Sequence, residues 1–172
     1  IGFYKKDYSQ KAFIFNIQHE KKHNYLATEN FLEQGPLASL PIRKNNSEFF
    51  SSIVWSCNNP FFYKIMHCKK SNIENLISNY LKPHYGKIKI ISDINNWDLF
   101  LIKSNKYIDH RLVLLGDSAH SIHPLAGQGF NLTVRGIESL FFLADQNLSQ
   151  KQNLGNLKNL SFFNSRQYLD SK

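Results

Sequence analysis

The sequence predicts a mixed α/β (α+β) fold, and three features carry the prediction. The first sixty residues alternate between strand-like runs and short polar turns. A helical apolar pattern follows from Ser71. A continuous apolar run, residues 111–115 (RLVLL), then leads through a glycine-containing loop into a second helical pattern. The expected order is therefore an antiparallel sheet with a helix, then a strand–loop–helix unit.

Residues 11–19 (KAFIFNIQH) place Phe13, Phe15 and Ile17 on one face and Asn16 and Gln18 on the other; Ile14 alone breaks the alternation. Residues 19–24 (HEKKHN) form a polar turn, after which residues 25–31 pair back as a hairpin partner. Gly35 and Pro36 punctuate the chain before a third strand at 37–42. A polar turn at 43–47 precedes a fourth strand at 49–57, centred on Ile53, Val54 and Trp55. Short polar connections imply antiparallel pairing, with one sheet face packed and the other open to solvent or a ligand.

Asn58, Asn59 and Pro60 close this block, and Phe61, Phe62 and Tyr63 read as a sheet edge or the lining of an apolar pocket. Ile73, Leu76, Ile77, Tyr80 and Leu81 recur at helical spacing, and Pro83 marks the helix end. Residues 87–91 and 97–102 read as strands, and Trp55 and Trp97 as core. The run at 111–115 has the character of a fully buried parallel strand. A helix starting near Gly129 places Phe130, Val134, Ile137, Phe141 and Ala144 on one apolar face. An amphipathic helix is expected around residues 157–169.

Composition narrows the functional class. The 172 residues are 42% hydrophobic, enough for a sizeable core. No apolar run approaches the roughly 20 residues of a membrane span, and the first residues lack the pattern of a signal peptide. Cys57 and Cys68 show neither pairing nor metal-type spacing, which points to reduced thiols and a cytoplasmic chain. The net charge of +8 suits an anionic surface, but only four residues are arginine and no nucleic-acid module is present, so nucleic acid is not an expected partner.

The strand–loop–helix unit, residues 111–135, carries the chemistry. An apolar strand delivers Gly116 and Asp117 at its carboxyl end, where open α/β sheets bind ligands. Asp117 can accept hydrogen bonds from sugar-type hydroxyls. Gly127, Gln128 and Gly129 then open a helix whose first N–H groups favour an anion or an electron-rich carbonyl. His120 and His123, three apart beside Asp117, raise a metal reading, but no third ligand has the spacing to complete a zinc site. No metal is therefore assigned.

Residues 116–136 (GDSAHSIHPLAGQGFNLTVRG) resemble the second flavin-binding motif of the aromatic-ring hydroxylases of the para-hydroxybenzoate hydroxylase fold. Among these the run is most similar to the UbiH-type ubiquinone-biosynthesis hydroxylases, which favour GDAAHxxHPxAGQGxNLGxRD. Residues 19–42 and 51–56 are similar to the substrate-domain strands of that family, and residues 163–170 (FNSRQYLD) resemble the start of its helix bearing Y-x-x-x-R-x-x-D. The resemblance implies part of an FAD-binding Rossmann-like domain plus an antiparallel substrate-domain sheet. It divides the chain at 1–104 (substrate-domain sheet and helix), 105–146 (C-terminal part of the FAD-binding domain) and 147–172 (start of a C-terminal helical region).

Carried over position by position, the resemblance implies that Asp117 binds the ribityl chain and Pro124 lies beside the isoalloxazine ring, with Gly116 and Gln128 in the same cofactor-binding set. Gly127, Gly129, Phe130 and Asn131 are implied to present backbone amides to the flavin N1/C2-carbonyl edge. The implied activity is FAD-dependent hydroxylation of a phenolic ring with NAD(P)H and O2, on a polyprenylated ubiquinone precursor. The alternatives are a soluble aromatic substrate and a non-catalytic fragment without the ADP-binding half. Peripheral contact with the inner membrane face and with other ubiquinone-biosynthesis proteins is further implied. Two departures stand out. Gly136 replaces a common Asp, which removes a salt link to Arg135 and costs roughly 1 kcal/mol of helix propensity relative to Ala. The GxGxxG unit of the ADP half is also not in the sequence, so the resemblance implies the C-terminal part of a longer enzyme.

Overall fold

The computed structural model describes residues 2–43 and 48–170. The chain divides into two compact units, Ser9–Leu99 and a second made of Ile1–Tyr8 with Phe100–Lys172. The division falls inside the strands β1 (Phe3–His19) and β6 (Asn95–Ser104).

In the Ser9–Leu99 unit, β1 pairs antiparallel with β4 (Phe49–Asn58), from Gln10 opposite Asn58 to His19 opposite Phe49. Strand β3 (Gly35–Ile42) pairs with β4, and β2 (Thr28–Leu32) pairs with β3. Strand β5 (Ile88–Ile90) joins the end of β1 through Ile17 and His19. The alternation read from the sequence sets the core. Phe13, Phe15, Ile17, Ile53, Trp55 and Cys57 face inward, under α1 (Asn59–Met66) and α2 (Lys70–Tyr85). Burial also pushes the Cys57 thiol up to about 12, so it packs as a small apolar group.

Four local expectations need correction. The second strand starts at Thr28 rather than residue 25, because Asn24 and Tyr25 both take positive φ (49° and 57°) and turn the chain outward. Phe61, Phe62 and Tyr63 lie in α1, not at a sheet edge. Asn58 caps that helix by accepting from the Phe61 N–H at 3.0 Å, and Phe62 stacks on Phe13. Pro83 sits inside the last turn of α2 instead of ending it, and the Gly86 N–H closes the helix on Lys82. Trp55 is fully buried, but Trp97 is half exposed. The polar turn expected at 43–47 lies, from residue 44 on, outside the described residues.

His19 closes the open end of this core. A carbonyl can only accept, so the proton sits on Nδ1, which donates to Lys21 O at 2.8 Å, and Nε2 accepts from the Ser51 hydroxyl at 3.0 Å. Burial, more than any neighbour, lowers its pKa and holds the ring neutral. The unfolded chain takes up a proton as pH falls through roughly 6.5, while the native ring resists it. The contribution to stability is therefore complete above that pH and declines below it. Urea midpoints measured across this window should slope downward toward acid, and His19→Gln should flatten the slope. An unchanged slope in the variant would place the acid sensitivity elsewhere.

In the other unit, β9 (His120–Ser121) pairs with β6. A tight hairpin joins β7 (Ile108–Asp109) to β8 (Leu112–Val113). Leu143 of α3 (Gln128–Ser149) and Leu160 and Phe163 of α4 (Leu157–Asp170) pack with Tyr107, Ile108 and Ala119 in one core. The apolar run at 111–115 is therefore neither a parallel strand nor fully buried in this unit. Two of its residues form the return limb of a hairpin, and Leu112 is 43% exposed.

The apolar face expected on α3 is also not the buried one. Phe130, Val134, Ile137 and Phe141 are exposed, whereas Leu132, Gly136, Ser139, Leu143 and Asn147 face inward. Gly136 permits this packing. A Cβ there would lie 2.6 Å from Gln167 Nε2 on α4 and 3.1 Å from Leu115 Cδ2. The missing side chain thus allows the close approach of α4. The salt link expected to be lost at this position is replaced, since Arg135 Nε pairs with Asp170 Oδ2 at 3.7 Å.

Candidate functional site

The candidate site is built from the turn after β8 and the start of α3, both in one unit. Gly116, Asp117 and Ser118 form a single 3-10 turn. The Ser118 hydroxyl donates to Leu115 O at 2.6 Å and accepts from the Leu115 N–H at 3.2 Å, which fixes the turn. Asp117 is left exposed at its apex. Gly116 lies directly against α3, where a Cβ would sit 3.7 Å from Thr133 Cγ2. Thr133 in turn donates its hydroxyl to Gly129 O at 2.9 Å. The turn bearing Asp117 is thereby seated on the first turns of the helix that carries the other site residues.

Gly127 caps α3 in the left-handed region (φ 66°), a conformation that costs an L-residue about 1–2 kcal/mol. Its Cβ position is open space, with nothing within 4 Å. The first helical hydrogen bond runs from Asn131 N–H to Gly127 O at 3.1 Å, and Gln128 N–H is taken by Leu125 O. The helical amides that precede that bond are those of Gly129 and Phe130. The Asn131 amide, expected to face a ligand, is committed to the helix, and its exposed side chain is what remains. Pro124, Gln128 and Phe130 are exposed on the same loop and helix start. The expected residues thus lie on two adjoining segments, the 116–118 turn and residues 124–131, and Ser118 and Thr133 are supports that sequence reading missed. A serine two positions after a strand-ending glycine was the available signal for the first. Nothing in the sequence distinguished Thr133 from an ordinary helical threonine.

His120 is buried opposite Lys103 on β6, and neither ring nitrogen has a hydrogen-bond partner among the described residues. Burial lowers its pKa most; the Asp117 charge opposes this, and Lys103 adds to it. A neutral imidazole is the result. His123 instead makes an edge contact with Tyr8, ring centres 5.3 Å apart. No three His, Cys, Asp or Glu side chains among the described residues converge as a metal site.

An exposed carboxylate on a turn that packs against α3, and two amides ahead of that helix's first bond, suit a ligand offering hydroxyls and an electron-rich carbonyl. Residues 13–143 match the FAD binding domain family. The chain belongs to that family. It is 33% identical over 140 residues to ubiquinone hydroxylase UbiL of Rhodospirillum rubrum, covering 81% of this chain and 32% of that protein. It is 27% identical to 3-demethoxyubiquinol 3-hydroxylase of Escherichia coli, over 81% of this chain and 34% of that one. The chain therefore spans about a third of the length of these relatives. Among solved structures, the flavin-dependent brominase Bmp2 superposes with a TM-score of 0.70 at 12% identity, over 96% of this chain and 42% of its own. The pqsL protein of Pseudomonas aeruginosa gives 0.66 at 16% identity, over 99% and 48%. At such identities the two structures report the fold alone, a mixed α/β flavoprotein architecture like that of para-hydroxybenzoate hydroxylase. FAD is the cofactor of the family.

Proposed function

We propose that this chain is the C-terminal part of an FAD-dependent monooxygenase that hydroxylates a phenolic ring using NAD(P)H and O2, the ring belonging to a polyprenylated ubiquinone precursor. The observation that carries the reading is the seating of the Asp117-bearing turn on α3 through the Gly116–Thr133 contact, with the Gly129 and Phe130 amides preceding the first helical bond of the same helix. In this reading Asp117 accepts from ribityl hydroxyls, and Pro124 borders the ring. Gly127 keeps the approach clear, and the N-terminus of α3 stabilises negative charge at the pyrimidine edge. Bound flavin supplies the redox and oxygen chemistry, and the protein supplies orientation and electrostatics. The ubiquinone hydroxylases among the relatives support this substrate class. The exposed apolar face of α3 is accounted for as well, as the surface that packs against the part of the enzyme carrying the ADP half. Contact with a membrane face and with other proteins of quinone synthesis belongs to the same proposal, because the substrate partitions into lipid.

Deleting the full-length gene should make cells accumulate a prenylphenol lacking one hydroxyl, detected by mass spectrometry of lipid extracts. A normal quinone profile in a strain without a second hydroxylase would favour a soluble aromatic substrate.

A further inference from the structure

The connection between β1 and β2 combines features that the flavin site does not use. Its tip exposes Tyr25 and Leu26, 72% and 63% accessible. The tip is held out by its own structure. Tyr25 N–H donates to His23 Nδ1 at 3.0 Å, and Leu26 N–H donates to His23 O at 2.9 Å. The His23 ring makes edge contacts with Tyr25 and Phe49, which anchors the turn to the sheet. At the tip lies a pocket of about 290 Å³, lined by Lys22, Arg43, Glu48, Tyr25 and Phe49 among others.

Charge surrounds this tip. Lys21 and Lys22 precede it, and the backbone N–H groups of Glu20 and Lys21 bond to Tyr85 and Lys87 carbonyls. That contact brings in Lys87 and the last turn of α2, which holds Lys82. Lys21 Nζ donates to Pro83 O at 3.2 Å. Two acids, Glu20 and Glu48, lie in the same region and keep their charge. Glu20 accepts from the Lys87 N–H, and Glu48 accepts from Gln18 Nε2. Lys21, Lys22, Lys82 and Lys87 with Arg43 outnumber Glu20 and Glu48 around an aromatic–aliphatic tip, and that combination matches one chemistry. Leucine enters acyl chains, tyrosine sits at headgroup level, and the cations meet lipid phosphates.

We infer that the β1–β2 tip, with Tyr25 and Leu26 at its apex and Lys21, Lys22 and Arg43 around it, docks the protein on an anionic lipid bilayer. The inference deepens the lipid-substrate reading by assigning the membrane-facing surface, yet its test reads binding rather than turnover.

The test is flotation of the full-length protein with vesicles of phosphatidylcholine alone or mixed with phosphatidylglycerol. The protein should float with the anionic vesicles, bind neutral ones much more weakly, and dissociate as salt rises. Lys22→Gln should weaken binding about fivefold, and Tyr25→Ser with Leu26→Ser by at least about tenfold. Lys64→Gln with Met66→Ser, which removes one charge and one apolar side chain at exposed α1 positions, should leave binding unchanged. In Tyr25→Trp, tryptophan emission should move to shorter wavelength with anionic vesicles only. Absence of flotation, equal binding to neutral vesicles, or an equal loss in the α1 control would overturn the inference. A protein that hydroxylates a prenylphenol in detergent but ignores vesicles sinks the docking surface and spares the substrate reading. Vesicle binding with a normal quinone profile in the deletion strain does the reverse.

Discussion

Gly129→Asp in the full-length protein should lower the reduction potential of bound flavin, while Gly129→Ala should leave it close to the unmodified value. The protein itself has room for either side chain. A Cβ at Gly129 meets only Ile122 Cγ1, at an ordinary 3.5 Å. Folding should therefore tolerate both variants, and their effects should fall on what binds in front of the helix. The Gly129 and Phe130 amides precede the first helical bond and carry the positive end of the α3 dipole. A carboxylate introduced there opposes negative charge at the ligand. Two unit charges about 4 Å apart repel by roughly 4 kcal/mol at an effective dielectric of 20, an upper guide because the side chain can turn to water. Oxidised flavin should bind the Asp variant more weakly, and the reduced form more weakly still. Potentials are read by redox titration of both variants. Equal shifts for Asp and Ala would mean that the glycine serves close approach alone and that the dipole argument is wrong.

Asp117→Ala should reduce flavin affinity by about tenfold or more, measured by the quenching of flavin fluorescence. Hydrogen bonds to a charged acceptor contribute about 1–3 kcal/mol, and the exposed carboxylate sits where such bonds can form without moving the turn. The turn is held by Ser118 and Leu115, neither of which Asp117 supports. The substitution should therefore leave the melting temperature nearly unchanged. Asp117→Asn tests the charge separately. An amide still accepts a hydrogen bond, so it should fall between wild type and Ala. Unchanged affinity in Asp117→Ala would move the sugar contact to another residue.

The sequence by itself determined the antiparallel sheet. The period-two pattern of Phe13, Phe15 and Ile17 admits one inward face, and the structure buries that face. It also pointed to a candidate site across residues 116–131, and the structure brings its two ends together only where Gly116 lies against Thr133 of α3. Periodicity names an apolar face but not the neighbour that covers it. Thus Phe130, Val134, Ile137 and Phe141 are exposed on α3, and the buried face is set by the close approach of α4 at Gly136. The same limit explains the run at 111–115, whose apolar character is shared by a parallel strand and by a hairpin limb packed from one side. Helix α1 was hidden because Asn-Asn-Pro signals a break and a helix start equally well; the bond from Phe61 N–H to Asn58 is visible only in three dimensions. Which amides remain available at the site was likewise decided by tertiary structure. The residue in the left-handed conformation fixes where the helix begins, and that choice at Gly127 commits Asn131 and leaves Gly129 and Phe130 open.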